Sequence, residues 1–520
     1  MNQRRISVFA LIAMVGAFIG CAAGTTGPFW KNVWGTEIVV PQEQILPASA
    51  AELVEIIQRA QSQGKRVRMT GSGHSASDVA ITSDILLNPQ KLSGPLSLDA
   101  TELKNPAEPY LARVLSGSTI RTLNSYFDLQ NLAFPSLGGY DAQTIAGATM
   151  TATHGSSLNY GPISSAIASM QVVSYDGKVF QIEPTDGITD PAQFSGVLLE
   201  DPSIPVELIQ DDETFQAMQV SIGSMGVVYA YVLKLEPKFW ITETRVITTW
   251  SAMIAAGGFL GRIINGQPLS ESGPAPDYYE IQVNPYSTIS GGDHTVLLTR
   301  RWKSFDPQPV DASRGAPGNE FLSQLLILFQ QPVEWILNSH PSMAPAVIDS
   351  ALNTEKDDRY TNLSYKVFNI GVVNETKVYA IEVAFDLNEI IAGVERQFAI
   401  IDELKTNGII QSSPLAVRFV AESDAHIAMM SGRKTAMMEI INLQGLRGID
   451  EFFQAHQAAL FTEFNTRPHW GLDLNYMQGE TLPSQLYPRW ADWKAIYQSY
   501  NRYGTFNGKV TDRLGISVTP

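Results

Sequence analysis

The residues of most chemical interest are packed into one short run, Gly71-Ser72-Gly73-His74-Ser75-Ala76. Glycines at 71 and 73 let backbone approach another group closely, and consecutive N–H groups in such a turn form a nest for an anion. The run superficially matches a dinucleotide fingerprint, but that motif needs a strand before it and a helix starting on it. Residues 77–82 carry no helical period, so a Rossmann-type nicotinamide site fails on context. A second run, 136–157, is rich in Gly, Thr and Ala and almost free of charge. It is too polar for a core and too poor in charge for a solvated loop. It reads as backbone laid against a ligand.

These runs must be positioned by a folded scaffold, and the composition supplies one. The chain has 520 residues, 44% hydrophobic and only 17% charged. Such a chain buries enough surface to offset its conformational entropy, which excludes intrinsic disorder. One cysteine excludes a disulfide scaffold. A net charge of −16 makes nucleic acid a poor partner, because phosphate binding is driven by cationic patches. Ser49-Ala50-Ala51-Glu52 has the form of a capping box, and Leu53, Ile56, Ile57 and Ala60 give the stripe of an amphipathic helix that Gly64 ends. Strands are expected at 65–69, 85–87, 110–115, 170–174, 178–182 and 227–235, with a hairpin at Asp176-Gly177. Further on, strand-like runs at 279–283 and 295–298 precede an apolar stretch at 321–336. A strand, helix and strand then follow at 378–385, 388–406 and 415–420.

The first residues read as an export signal. Arg4 and Arg5 precede an apolar span, 8–19, that is short for a membrane helix. The span ends at Phe18-Ile19-Gly20-Cys21, which resembles a bacterial lipobox and implies lipidation at Cys21. The plainer alternative is a cleaved signal with an incidental cysteine. The paired arginines also fit a twin-arginine signal. Either way the protein is expected to be exported, as a periplasmic or outer-membrane lipoprotein held to the membrane by its lipid, or as a secreted protein.

Residues Val67 to Asp78 closely resemble the pyrophosphate loop of the vanillyl-alcohol-oxidase class of FAD proteins, nearest the aldonolactone and alditol oxidase branch. Gln143-Thr144-Ile145-Ala146-Gly147 through Thr153-His154-Gly155 resembles the family's second FAD-contacting loop. Phe215 to Val228 is similar to the strand along the cofactor. The resemblance implies an α+β fold: a 1–21 signal, a 22–37 linker, a two-part PCMH-type FAD-binding domain at 38–238, and an α+β substrate domain at 239–520. The tail of the second domain would return to the first. It implies FAD bound by Gly71, Ser72, Gly73, His74, Ser75, Thr144, Gly147, Thr153, Gly155, Gly226 and Val228, with a covalent bond from His74 to the flavin. The bland reading of His74 is a surface loop histidine, and of His154 a packing residue beside the flavin.

On the substrate side the likeness thins. Pro414 to Phe419 is similar to a family strand carrying Glu-x-Arg; Arg418 matches, but Ala416 replaces the Glu. Arg467 to Leu472 is similar to the family's Pro-His-Trp-Gly/Ala-Lys segment, with Leu472 in place of Lys. The implied chemistry is hydride removal from a carbon bearing a hydroxyl, on a small alcohol or lactone. Arg418 would stabilise developing charge and His469 would act as base, with Asp473 behind it; no metal is expected. Dioxygen or an electron carrier would accept the electrons. Three alternatives stay open: Arg418 as a structural ion pair, His469-Trp470 as a core pair, and 321–328 as a core helix or hydrophobic entrance. A bulky apolar alcohol such as a sterol, or a non-catalytic lipoprotein, are the competing functions.

Overall fold

The structure, a computed structural model, describes residues 29–270, 273–311, 330–369 and 376–519. Cys21 with its signal-like segment and the apolar run 321–328 lie outside the described residues. Among the described residues, no helix is long and apolar enough to cross a membrane.

The N-terminal part opens with strand β1 (Glu43–Ile45), helix α1 (Ala50–Ser62), and strands β2 (Val67–Met69) and β3 (Ile85–Leu87). The three strands pair in parallel with β3 in the middle. Ser49 caps α1 by accepting the Glu52 N–H, while the Glu52 carboxylate accepts from Ala48, one residue earlier than a capping box requires. Leu53, Ile56, Ile57 and Ala60 are buried, and Gly64 ends the turn at φ +62°. A short helix, α2 (Ile145–Met150), lies within the 136–157 run.

A seven-stranded sheet follows, built on β4 (Leu111–Leu115), β5 (Ile167–Val173), β6 (Val179–Glu183), β7 (Asp201–Gln210) and β8 (Val227–Lys234). Their order is β7-β6-β5-β8-β4, with a two-residue strand at each edge. The β5–β6 hairpin turns through Gly177 at φ +82°. Sequence pattern gives no sign of β7, because Pro202 and Pro205 interrupt its alternation; it pairs in parallel with β6.

The C-terminal part is an eight-stranded sheet. Its strands are β9 (Trp240–Thr249), β10 (Tyr278–Val283), β11 (Thr295–Ser304), β12 (Asp357–Leu363), β13 (Val378–Asp386), β14 (Leu415–Val420), β15 (Thr435–Leu443) and β16 (Arg467–Pro468). They are ordered β12-β9-β11-β10-β14-β15-β13-β16. On one face Ile281, Val417, Phe419, Val383 and Ile440 form a core with α3 (Ala344–Glu355), α4 (Ile390–Lys405) and α5 (Ile449–Thr462). The alternate residues of the same strands carry charge. A sheet with one apolar and one charged face must meet something polar on the second.

That second face turns toward the N-terminal part. Tyr279 donates its N–H to the Ser156 carbonyl at 3.2 Å, and Phe419 donates to Ser156 Oγ at 3.0 Å. The C-terminal tail packs on β2 and its loop: Val67 N–H reaches the Thr505 carbonyl at 2.7 Å, and Arg513 forks onto buried Asp78 at 2.8 and 2.7 Å.

Candidate active site

The 71–76 loop leaves β2 and lies against the start of α2. A Cβ at Gly71 would come within 2.7 Å of Thr144 Oγ1, so only glycine allows this approach. Thr144 caps α2 by accepting the Gly147 N–H at 3.2 Å. Ser72 Oγ donates to the Ala142 carbonyl, and Ser75 Oγ to the Gly471 carbonyl at 3.1 Å. Gly73 adopts φ +73°. The N–H groups of Ser72, Gly73, Ser75, Gly138 and Gly139 find no acceptor among the described residues. A row of free donors on partly accessible backbone fits the diphosphate of FAD, which needs N–H groups rather than a cationic side chain.

His74 is half-buried between two rings, Trp34 at 4.8 Å and Tyr140 at 4.0 Å between centroids. Thr153 and Gly155 follow α2, and Gly155 is so close to the Leu137 carbonyl that a Cβ would stand 2.7 Å from it. Gly226 and Val228 lie at the start of β8. Gly226, at φ +116°, passes the Val173 carbonyl too closely for a side chain, and Val228 is buried in the sheet's core. Of the eleven cofactor-binding expectations, nine therefore gather around the loop and α2, and these two sit in the adjoining sheet.

Over α2's far end the chain brings His154 onto the charged sheet face. Its Nδ1–H donates to the Gly155 carbonyl at 2.8 Å, and its Nε2 faces Glu382 at 3.4 Å, an ion pair when the imidazole is protonated. His469 comes from the segment after β16, its ring centroid 5.9 Å from that of His154. Burial pushes its pKa down to about 4, against the opposing pull of Glu382. His469 Nδ1 accepts the Gly471 N–H at 2.9 Å, so the neutral ring carries its proton on Nε2. One donor atom from each of His154, Glu382 and His469 lies within 4.8 Å of the others. With Nδ1 of His469 spent and Nε2 protonated, they form a hydrogen-bonding cluster rather than three free ligands. Trp470 is fully buried in the core and donates to the Ile427 carbonyl at 2.7 Å.

Arg418 projects from β14 into the same face. Its Nε lies 3.5 Å from Glu280, Nη1 3.4 Å from Glu382 and Nη2 3.1 Å from Glu439. A fifth of its side chain stays accessible, at 21%. Burial alone would lower its pKa; the three carboxylates reverse that and raise it. The ion pairs continue across the sheet: Glu280 to Arg301, Arg301 to Glu243, Glu243 to Arg245, and Arg245 to Glu355 at the end of α3. Burial raises the carboxyls of both Glu439 and Glu355, with Arg418 and Arg245 opposing.

Glu280, Glu382 and Glu439 were not legible as site residues. Glu439 stands directly opposite Ala416, the position where the family resemblance implies a glutamate, and directly opposite Glu382 on its other side. The signal was cross-strand pairing, which needs the register. Asp473 accepts the Asn475 N–H at 2.9 Å, and Asn475 is exposed.

The chain is similar to known proteins along most of its length. An FAD-binding-domain model matches residues 41–183, and a D-arabinono-1,4-lactone oxidase model matches residues 285–514. L-gulono-1,4-lactone dehydrogenase of Mycobacterium tuberculosis (strain H37Rv) is 25% identical over 487 residues, 94% of this chain and 99% of the relative. D-arabinono-1,4-lactone oxidase of Yarrowia lipolytica is 26% identical over 62% of this chain and 50% of its own length. Cholesterol oxidase from Brevibacterium sterolicum superposes with a TM-score of 0.72 at 12% identity, covering 94% of this chain and 96% of that one, a likeness of fold.

Proposed function

From the premise that this chain belongs to the FAD-linked oxidoreductases of the vanillyl-alcohol-oxidase class, near their aldonolactone oxidase branch, we propose that it oxidises a CH–OH group of a sugar-lactone- or alditol-like substrate. The observation that carries this reading is the charged sheet face. Arg418 and Glu439 remain partly accessible beside the 154–157 segment, and together they offer donors and acceptors suited to several hydroxyl groups. A sterol would present one hydroxyl to the same face and leave the other charged groups desolvated without partners.

FAD supplies the two-electron acceptor when bound. The chain's own groups do the rest. The 71–75 loop and α2 hold the cofactor, His74 is the point of covalent attachment, and Arg418 holds the substrate oxygen while charge develops on it. Dioxygen or an electron carrier then takes up the electrons. The protein works outside the cytoplasm, anchored through Cys21.

Turnover of an aldono-1,4-lactone panel, an alditol panel and cholesterol, with both dioxygen and an artificial carrier, tests the reading. Products two hydrogens lighter should appear from a lactone or alditol. Oxidation of cholesterol alone would replace this reading with the sterol one.

A further inference from the structure

We propose that Glu439 is the catalytic base, taking the hydroxyl proton of the substrate from the strand beside the one that carries Arg418. The inference rests on the proposed CH–OH oxidation and adds the group that completes it.

Position comes first. Glu439 on β15 pairs directly with Ala416 on β14. Residues opposite each other on antiparallel strands share a face, with Cβ atoms about 4.5–5.5 Å apart. Ala416 is partly accessible and carries only a methyl, so the Glu439 side chain has no bulky neighbour at the position opposite it. Arg418 fixes that carboxylate through Nη2 at 3.1 Å.

Access comes second. Of the three carboxylates on Arg418, the Glu439 side chain is 16% exposed, Glu280 11% and Glu382 5%. Glu382 is further committed to His154. His469 bears its proton on Nε2 and so donates, which leaves acceptance to a carboxylate.

The charges around Glu439 suit it to this work. They are Arg418 from β14, Glu280 from β10, Glu382 from β13 and His154 from the segment after α2. Burial raises the Glu439 carboxyl; Arg418 opposes, and Glu382 and Glu280 add to the rise. A carboxylate pushed toward neutrality is a better proton acceptor near neutral pH. In the step, the O–H bond of the substrate breaks and its proton passes to Glu439. The carbon's hydride carries two electrons to bound FAD, and the carbon–oxygen bond becomes a carbonyl. The substrate is oxidised, FAD is reduced, and the proton rests on Glu439.

Anaerobic rapid mixing with the best lactone or alditol tests this on four proteins: wild type, Glu439→Gln, Glu439→Ala, and Ala416→Glu combined with Glu439→Ala. Glu439→Gln should keep its FAD and bind substrate, but reduce the flavin about 10²–10⁴-fold more slowly. The wild-type rate should rise with pH to a plateau, and the Gln variant should lose that rise. The double variant, with its carboxylate moved across the strand pair, should recover much of the rate. A Gln variant that reduces flavin as fast as wild type, or a folded double variant as slow as Glu439→Ala alone, overturns the role of Glu439. A wild type that no lactone or alditol reduces overturns the underlying reading as well.

Discussion

Arg418 is a single guanidinium shared by three carboxylates, each contacted by a different nitrogen. A lysine in its place keeps the charge but cannot span three partners, because its ammonium is one compact point. Arg418→Lys should therefore fold and retain FAD, yet slow flavin reduction about 10²–10³-fold, the usual loss for one preorganised donor. Rapid-mixing reduction beside thermal unfolding separates the outcomes: an unchanged rate with lost stability makes Arg418 structural. At His74, the alanine variant should bind FAD reversibly, because the N–H donors of Ser72, Gly73 and Ser75 and the α2 cap remain. Acid precipitation should leave wild-type protein yellow and the variant colourless. Flavin attached to a peptide lacking residue 74 would contradict the assignment. Both residues stand in motifs readable along the chain. Glu439, Glu382 and Glu280 stand in none, since what joins them is the register between strands.

At the scale of elements, α3 ends where its Glu355 meets Arg245 of β9, one link of the ion-pair row. Burial pushes the Glu355 carboxyl up to about 7 from an ordinary 4.5, with Arg245 only partly opposing. The folded state therefore favours the protonated acid. Its contribution to stability is complete below about pH 4.5 and is lost as pH rises through about 7. Glu355→Gln, neutral at every pH, should remove roughly 3 kcal/mol of the stability decline between pH 5 and pH 8. Urea unfolding of both proteins at those two pH values measures it, and parallel declines would contradict it. Elements differ in how far sequence announces them. α1 carries its cap, stripe and terminal glycine, and β5–β6 carries its turn. β15 carries Met437 and Met438 side by side on opposite faces, so its alternation is hidden and Glu439 with it. β9 carries no clear alternation either, although Glu243 and Arg245 on it join Arg301 to Glu355 in the charged row.

Across the whole molecule, the eight-stranded sheet meets the N-terminal part at the 154–157 segment, and the C-terminal tail closes back on the loop after β2 through the Arg513–Asp78 pair. The α+β class and the cofactor loops follow from local patterns and the family resemblance. The meeting of the two parts does not, because it is made by contacts between residues hundreds of positions apart. Beyond the described residues, Cys21→Ser should shift the protein from the membrane fraction to the soluble one, and equal membrane association of wild type and variant would remove the lipid anchor. In the proposed reaction a hydroxyl-bearing carbon held on the charged sheet face gives its hydride to bound FAD. The most direct measurement is anaerobic reduction of the bound flavin by an aldono-1,4-lactone or alditol, compared with the same substrate deuterated at the oxidised carbon. The flavin should bleach, and more slowly with deuterium; flavin that stays oxidised with every lactone and alditol rules this chemistry out.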